Sequence, residues 1–230
     1  MGAQLSKRLK WRAEAAGHLA LAAVLRQLPV ESVFVFGEFL GKMIWPLMKG
    51  RQKTIVRNLR IALNGTCTAD EIEKLAKDSF IRNVANLLCS SVSAKAEGKD
   101  LRELMEVENA EVLIEAHAKG KGVVLLLAHM GNWELLTRLK NFLPELGNLG
   151  AFYRPLNNII LNERVLRERQ ADGTRLFSKR DSLHHVSGFL RDNGIVGILA
   201  DQRVGRQGEL VEFFGRLTRA SPLPSLLARR

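Results

Sequence analysis

The 230-residue chain has little cysteine, few aromatic residues and no long uninterrupted apolar segment. Its two cysteines, Cys67 and Cys89, fit no metal-site spacing and are too few for a disulfide framework, which indicates a reducing compartment. Aromatic residues make up 6% of the chain and are not interleaved with basic residues, so nucleic-acid binding is not predicted. The apolar fraction of 46% and the charged fraction of 26% are ordinary for a globular protein.

Several common catalytic sequences are also missing. The chain has no G-x-S-x-G nucleophile elbow, no Walker A sequence, no G-x-G-x-x-G and no H-E-x-x-H. A serine acyl-enzyme of the α/β-hydrolase type, a common nucleotide-binding loop and a metal site are therefore not predicted.

Acidic residues are under-represented, above all near the amino terminus. The chain has a net charge of +11, and residues 1–60 contain 11 basic and 3 acidic side chains among apolar stretches. This mixture is typical of helices that lie on a membrane surface. Because Arg26, Pro29, Glu31 and Glu38 interrupt the apolar stretches, a pair of surface-lying amphipathic helices is expected rather than a spanning helix. We interpret residues 1–60 as a basic, apolar, helical membrane-associating region; a solvated helical cap is the alternative.

Residues 61–230 alternate between helical and strand-like patterns. Thr68 and Glu71 form a capping-box pattern that predicts a helix reaching to near Ser90. The apolar run 122–128 predicts a strand that is buried on both faces. Further strands are predicted at 149–153, 174–177 and 195–200, and further helices at 54–63, 100–105, 111–119, 159–170 and 182–192. The alternation predicts an α/β fold with a mixed, largely parallel sheet flanked by helices.

The strand at 122–128 is followed by the sequence His129-Met130-Gly131-Asn132-Trp133-Glu134. Such sheets place ligands at the carboxyl ends of their strands. A turn followed by a helix returns Glu134 toward His129, so we expect Glu134 to hydrogen-bond one imidazole nitrogen and leave the other as a general base. A chance histidine followed by a glutamate at a helix amino terminus is the alternative. The buried strand and the intervening Gly-Asn-Trp favour the catalytic interpretation.

Five separated sequence blocks follow one another from about residue 50 to the end. They are R-N-L at 57–59, H-M-G-N-W-E at 129–134, Y-R-P-L-N-N at 153–158, D-Q at 201–202 and F-F-G at 213–215. In this order they resemble the bacterial lipid A biosynthesis acyltransferases of the lauroyl/myristoyl type. The resemblance implies a glycerolipid-acyltransferase-like fold for residues 61–230. Family members continue well beyond the F-F-G block, so this α/β domain is expected to lack its carboxyl-terminal part.

The resemblance also implies a reaction. A fatty acyl chain passes from acyl carrier protein to a hydroxyl of a phosphorylated glycolipid, a lipid A precursor, at the cytoplasmic face of the bacterial inner membrane, without a cofactor. His129 is then the general base and Glu134 orients it. Arg154 and Arg164 are expected to hold phosphate or sugar oxygens of the acceptor, because guanidinium groups suit phosphate. The further residues expected to contact substrate are Asn132, Asp201 and Gln202.

Alternatives remain open at this point. Two roles fit Asp201: it orders Arg164 or the acceptor, or it is a turn residue. Arg167 and Arg169 fit substrate binding and a solvated basic helix face equally well. The chain as a whole fits either a catalytically inactive, truncated membrane-surface homologue or a hydrolase in which His129 activates water against an acyl thioester. Dependence of the rate on an acceptor separates the transferase from the hydrolase.

Overall fold

The computed structural model describes residues 2–93, 102, 105–178, 181 and 183–229. The helices are α1 (Gly2–Leu25), α2 (Val30–Ile44), α3 (Lys49–Leu63), α4 (Ala69–Ser93), α5 (Ala110–Ala118), α6 (Ile159–Arg169), α7 (Leu183–Arg191) and α8 (Leu223–Ala228). The strands are β1 (Val123–Leu127), β2 (Leu149–Tyr153), β3 (Arg175–Ser178), β4 (Ile195–Leu199), β5 (Glu209–Phe213) and β6 (Arg216–Ala220). Two 3₁₀ helices cover Trp45–Leu47 and Trp133–Asn141.

The amino-terminal helices are separated at Pro29, as the sequence predicts. Pro29 precedes the first residue of α2, where a proline fits a helix start because its missing N–H would have no partner there. Helix α2 packs closely on α4 through Gly37 and Gly41: a Cβ on Gly37 would lie 2.5 Å from the Cα of Ala85. Within the described part of the chain, no helix combines the length and the apolar character that crossing a bilayer requires.

Helix α4 begins at the predicted capping box. The backbone N–H of Thr68 donates to Glu71 Oε2 at 2.7 Å, and the N–H of Glu71 donates to Thr68 Oγ1 at 3.3 Å. The hydrogen bonds that the Thr68 backbone N–H and hydroxyl donate to the Glu71 carboxylate lower the pKa of that carboxyl. The reciprocal pair satisfies backbone donors that a helix amino terminus leaves without partners, and the prediction is confirmed.

The main sheet has four parallel strands in the order β1-β4-β2-β3. Val123 pairs with Ile195 and Leu127 with Leu199, so β1 and β4 end side by side. Strand β2 pairs with β4 from Leu149↔Ile195 onward. All four carboxyl ends therefore lie along one edge of the sheet, which we call the carboxyl rim. The predicted α/β fold with a largely parallel sheet is confirmed.

Alternating residues of β4 serve two cores on opposite faces of this sheet. Val196 and Ile198 pack with α7 and α8 through Phe189 and Leu227. Ile195 packs on the other face with the 3₁₀ helix Trp133–Asn141 and the segment after it. The helices thus cover both sides of the sheet, as parallel strands require.

Strand β1 differs from its prediction. The continuous apolar run predicted a strand buried on both faces, but β1 lies at one edge of the four-stranded sheet, and the side chain of Leu126 is 65% exposed. The most buried strand of this sheet is β4, which has a neighbour on each side. An apolar run indicates a preference for burial, whereas the order of strands in the sheet decides which strand is buried.

The predicted helices and strands otherwise correspond closely to the observed ones, with boundary differences of up to five residues. The largest difference is at α3, which begins at Lys49 rather than at residue 54. The predicted helix at 100–105 lies mostly outside the described residues. The sequence patterns did not predict the antiparallel hairpin β5-β6 and the short helix α8. Five successive residues of β5 are exposed, so this strand has no alternation of buried and exposed positions to detect.

Candidate active site at the carboxyl rim

His129 lies at the carboxyl rim, two residues beyond the end of β1. Asp201 lies two residues beyond the end of β4, and the register Leu127↔Leu199 therefore places the two residues beside each other. The Nδ1 atom of His129 is 2.6 Å from Asp201 Oδ1, and the backbone N–H of His129 donates to Asp201 Oδ2 at 2.9 Å. The carboxylate thus holds both the backbone and the ring of the histidine.

This pairing determines which imidazole nitrogen is available for chemistry. An ionised carboxylate only accepts hydrogen bonds, so Nδ1 carries the proton and donates it to Asp201. The Nε2 atom then has its lone pair free, and no described residue forms a hydrogen bond with it. The ring of Trp133 lies edge-on to the imidazole at 5.4 Å and limits its movement. Such a histidine is prepared to take a proton from a substrate.

The Asp201 carboxyl remains ionised in this environment. Its partial burial alone would raise its pKa, but the hydrogen bonds from the side chain and backbone of His129 outweigh burial and lower the pKa overall. A negative charge beside Nδ1 stabilises the imidazolium that forms when Nε2 accepts a proton.

Glu134 has a different partner from the one that its spacing predicts. Its carboxylate accepts two hydrogen bonds from Arg169 at the end of α6, from Nε at 2.8 Å and from Nη2 at 2.5 Å. The expected hydrogen bond between Glu134 and His129 is not formed. Two parallel bonds to a guanidinium satisfy the glutamate better than one bond to an imidazole, and Asp201 already occupies Nδ1. The contact from Glu134 to the rim is therefore indirect, through the adjacent Trp133.

Asn132 connects the turn after His129 to helix α4. Its Nδ2 donates to Oγ of Ser93 at 2.8 Å, and Ser93 is fully buried at the last position of α4. The Oδ1 atom of Asn132 is buried and has no hydrogen-bond partner among the described residues. Asn132 thus holds the turn in place, and its predicted contact with substrate stays a prediction.

The two arginines predicted to bind substrate lie in different environments. Arg154 follows the last residue of β2, is exposed, and has no hydrogen-bond or ion-pair partner among the described residues. Arg164, within α6, forms an ion pair with Glu168 at 3.1 Å, and Glu168 also contacts Arg26, the residue after α1, at 3.2 Å. Arg154 is therefore available at the rim, whereas Arg164 is paired within its own helix with the glutamate that also binds Arg26. The predicted ordering of Arg164 by Asp201 is not observed.

Gln202 is exposed directly after Asp201. It has no hydrogen-bond partner among the described side chains, so the structure leaves its predicted contact with substrate as a prediction.

An apolar cavity lies between the sheet and the 3₁₀ helix Trp133–Asn141. Its volume is about 90 Å³. Leu127, Gly197 and Leu199 form its wall on the sheet side, and Trp133 and Leu136 form its wall on the helix side. Leu127 and Leu199 end the strands that precede His129 and Asp201, so the cavity lies next to the rim and presents an apolar surface there.

Sequence reasoning missed two partners in this site. It linked Asp201 to Arg164 or to substrate rather than to His129, although the D-Q pair after a strand marked the residue. It left Arg169 as equally consistent with solvent exposure, and nothing in the sequence distinguishes Arg169 from Arg167 beside it.

Comparison with known proteins gives the family of the chain. Residues 7–230 match the model of a family described as "Bacterial lipid A biosynthesis acyltransferase". The chain is 25% identical over 182 residues to a lipid A biosynthesis palmitoleoyltransferase of Escherichia coli, an alignment that covers 79% of this chain and 58% of the relative. It is 28% identical over 134 residues to a phosphatidylinositol mannoside acyltransferase of Mycolicibacterium smegmatis, which covers 56% of this chain and 43% of that relative. The chain thus spans less than two thirds of the length of these relatives.

Proposed function

The chain belongs to the bacterial lipid A biosynthesis acyltransferase family, and from that premise we propose that it transfers a fatty acyl chain from acyl carrier protein to a hydroxyl of a lipid A precursor. The observation that carries this proposal is the His129–Asp201 pair, which holds the imidazole at the carboxyl rim with Nε2 free and against Trp133, a residue that lines the apolar cavity. Acyl transfer to a hydroxyl needs a base for the hydroxyl proton and an apolar surface for the acyl chain, and this arrangement supplies both.

The reaction follows from the roles of these groups. Nε2 of His129 takes the proton of the acceptor hydroxyl as its oxygen attacks the thioester carbonyl carbon. The new ester C–O bond forms, the C–S bond breaks, and the imidazolium returns its proton to the leaving thiolate, which departs as the thiol. Asp201 holds the ring and balances its charge throughout. General base catalysis of this kind contributes about 10² to 10⁴ in rate.

The contacts of Glu134 give this residue a supporting part in the proposal. The Arg169–Glu134 pair fixes the first turn of the 3₁₀ helix, which carries Trp133 against the imidazole and forms one wall of the cavity. Glu134 then acts on His129 through position rather than through a direct hydrogen bond.

The partners follow from charge. Acyl carrier protein is acidic and the proposed acceptor carries phosphates, so a chain of net charge +11 attracts both. Arg154, free at the rim, is placed to contact acceptor oxygens. A lipid acceptor also requires the enzyme to act at a membrane, which we propose to be the cytoplasmic face of the inner membrane, where acyl carrier protein is present.

The relatives are named for different acceptors. Two of them are named for lipid A and two for phosphatidylinositol mannoside, so the family name and the relatives together support acyl transfer to a glycolipid in general. Mass analysis of the glycolipids from a strain that lacks this activity and carries this gene identifies the acceptor and the chain length.

The direct test measures acyl transfer from acyl carrier protein by the full chain and by His129→Ala. We expect the variant to lose about 10² to 10⁴ of the rate and to keep its circular dichroism spectrum. His185→Ala is the matched control, because His185 is an exposed histidine on α7 that forms no hydrogen bond or ion pair with His129 or Asp201. Unchanged transfer by His129→Ala contradicts the proposal, and release of free fatty acid at the same rate without an acceptor indicates a hydrolase instead.

A further inference from the structure

A basic groove separates helices α3 and α4, and the proposed reaction does not use it. Its volume is about 700 Å³. Helix α3 contributes Lys53, Arg57 and Arg60, and helix α4 contributes Lys74 and Lys77. All five side chains are exposed, and the part of the chain that the structure describes gives none of them an ion pair. The groove contains one acidic residue, Glu73. Five cations converging on one open groove with a single carboxylate form a strong anion-attracting surface.

An exposed apolar stripe on α2 and the 3₁₀ helix after it leads to this groove, and we call it the α2 stripe. Val35, Phe39 and Met43 of α2 and Leu47 of the 3₁₀ helix follow one another at intervals of four residues, and all are exposed, Leu47 to 80%. The buried face of α2 is formed by Val33, Gly37 and Gly41, which lie two residues out of phase. Two residues correspond to about 200° of helix rotation, so the stripe and the buried face point in opposite directions.

Trp45 joins the stripe to the groove. It follows the last residue of α2 directly, lies within the 3₁₀ helix that ends with Leu47, and lines the groove. Its ring contacts Phe80 of α4 at 5.3 Å, and its carbonyl accepts a hydrogen bond from Gln52 of α3 at 2.5 Å. These contacts hold α2, α3 and α4 together at the point where the apolar stripe ends and the cations begin.

We propose that the α2 stripe and the α3–α4 groove together form a docking surface for a bilayer that contains anionic phospholipids. The stripe enters the boundary between headgroups and acyl chains, and the five cations contact headgroup phosphates. Tryptophan is enriched at this depth of a membrane, which suits the position of Trp45. An acidic carrier protein would explain the cations but not the four exposed apolar residues of the stripe.

The inference deepens the proposed function by naming the surface through which the enzyme meets its lipid substrate. It is testable without acyl donor or acceptor, so the two proposals fail separately. Vesicle binding without acyl transfer leaves this surface in place and removes the proposed function. Acyl transfer to a detergent-dispersed acceptor without vesicle binding supports the proposed function and overturns the docking surface.

The experiment measures binding of the full chain to vesicles of phosphatidylcholine alone and of phosphatidylcholine mixed equally with phosphatidylglycerol. The groove variant is Lys53→Glu/Arg57→Glu/Lys77→Glu. We expect the mixed vesicles to bind more tightly, with an affinity that falls as salt is added. The groove variant should lose at least about a hundredfold in affinity for them, since each cation near an anionic surface contributes ~1 kcal/mol.

The matched control is Lys119→Glu/Lys121→Glu/Arg206→Glu, which makes the same change in net charge at exposed positions outside the groove. It should keep most of the affinity for mixed vesicles. Equal losses in the groove variant and the control overturn the proposal, because the attraction then depends on total charge alone. Circular dichroism of each variant confirms that it is folded.

A second variant tests the stripe. Phe39→Ser/Met43→Ser/Leu47→Ser should weaken binding to both kinds of vesicle, because the exposed apolar side chains that enter the bilayer are replaced by polar ones. The net charge does not change. Retention of full binding by this variant overturns the bilayer assignment. So does a groove-dependent interaction with inorganic phosphate or with acyl carrier protein that is stronger than the interaction with mixed vesicles, since it identifies a small-anion or carrier-protein site.

Discussion

Two carboxylates surround the same turn, and their partners differ. Asp201 holds an imidazole at the ends of β1 and β4, whereas Glu134 holds the guanidinium of Arg169 between the 3₁₀ helix and α6. Burial does not separate the pairs: the side chains of His129 and Asp201 are 28% and 35% exposed, and those of Arg169 and Glu134 are 26% and 23% exposed. The pairs differ in the group that the carboxylate binds, because an imidazole exchanges protons near neutral pH and a guanidinium does not. Chemistry is therefore expected at the first pair and positioning at the second.

The largest expected effect comes from Asp201→Asn. An asparagine amide can donate to Nδ1, which stabilises the tautomer with the proton on Nε2 and removes the free base. We expect kcat for acyl transfer to fall by about 10² to 10⁴, close to the loss in His129→Ala. Steady-state kinetics on both variants and on the double variant measure this. If the two residues act as a unit, the double variant is no slower than either single variant; multiplied losses contradict the pairing.

Glu134→Gln has a smaller expected effect on the reaction. The replacement keeps the size of the side chain and weakens its bonds to Arg169, so kcat should fall by no more than about tenfold, or ~1.4 kcal/mol. The free energy of unfolding should decrease by about 1–3 kcal/mol, which is typical of hydrogen bonds to charged groups. Kinetics together with urea denaturation measure the two quantities.

Arg169→Gln sharpens the same comparison from the other side of the pair. A positioning role for Glu134 predicts similar losses in the Arg169 and Glu134 variants. A direct role of Glu134 on His129 predicts that Glu134→Gln is as slow as Asp201→Asn while Arg169→Gln remains fast, and this result would remove the distinction between the pairs.

Ser93→Ala tests the turn that lies between the pairs. It removes the partner of Asn132 Nδ2 and should cost about 1–3 kcal/mol of stability, the penalty for a polar group left unsatisfied. The pair geometry at the rim is set by strand register rather than by this bond, so kcat should change less than in any variant above. Thermal unfolding and kinetics check both parts, and a loss of kcat as large as that in Asp201→Asn shows that the turn, not the register, holds His129.

The smallest expected effect is on pH dependence of stability. The pKa of Asp201 is lowered in the folded chain, so its ionisation contributes stability above the unfolded pKa of about 4. That contribution is lost as the pH falls below this value and through the folded pKa. The unfolding free energies of the wild type and of Asp201→Asn should therefore converge as the pH is lowered from about 5. A difference that is constant over this range contradicts the assigned ionisation.

Much of this molecule was predictable from local patterns. The apolar run before His129, the capping box at Thr68 and the helix-breaking Pro29 each act over a few residues, and the corresponding elements form where expected. The same holds for His129 as the candidate base, because its position after a strand is a local property. The partners of His129 and Glu134 were not predictable in this way, since Asp201 and Arg169 lie 72 and 35 residues away.

The sequence alone determined most of the helices and strands, the basic amino-terminal region, the α/β class and the histidine at a strand end. Each of these depends on periodicity, charge or turn chemistry within a short segment. The tertiary structure decided that β4 lies beside β1, and with it that Asp201 rather than Glu134 meets the imidazole. The physical reason is that strand pairing depends on how all the strands and helices pack together. A shift of one position in that pairing would move a carboxylate away from the histidine without changing any local pattern.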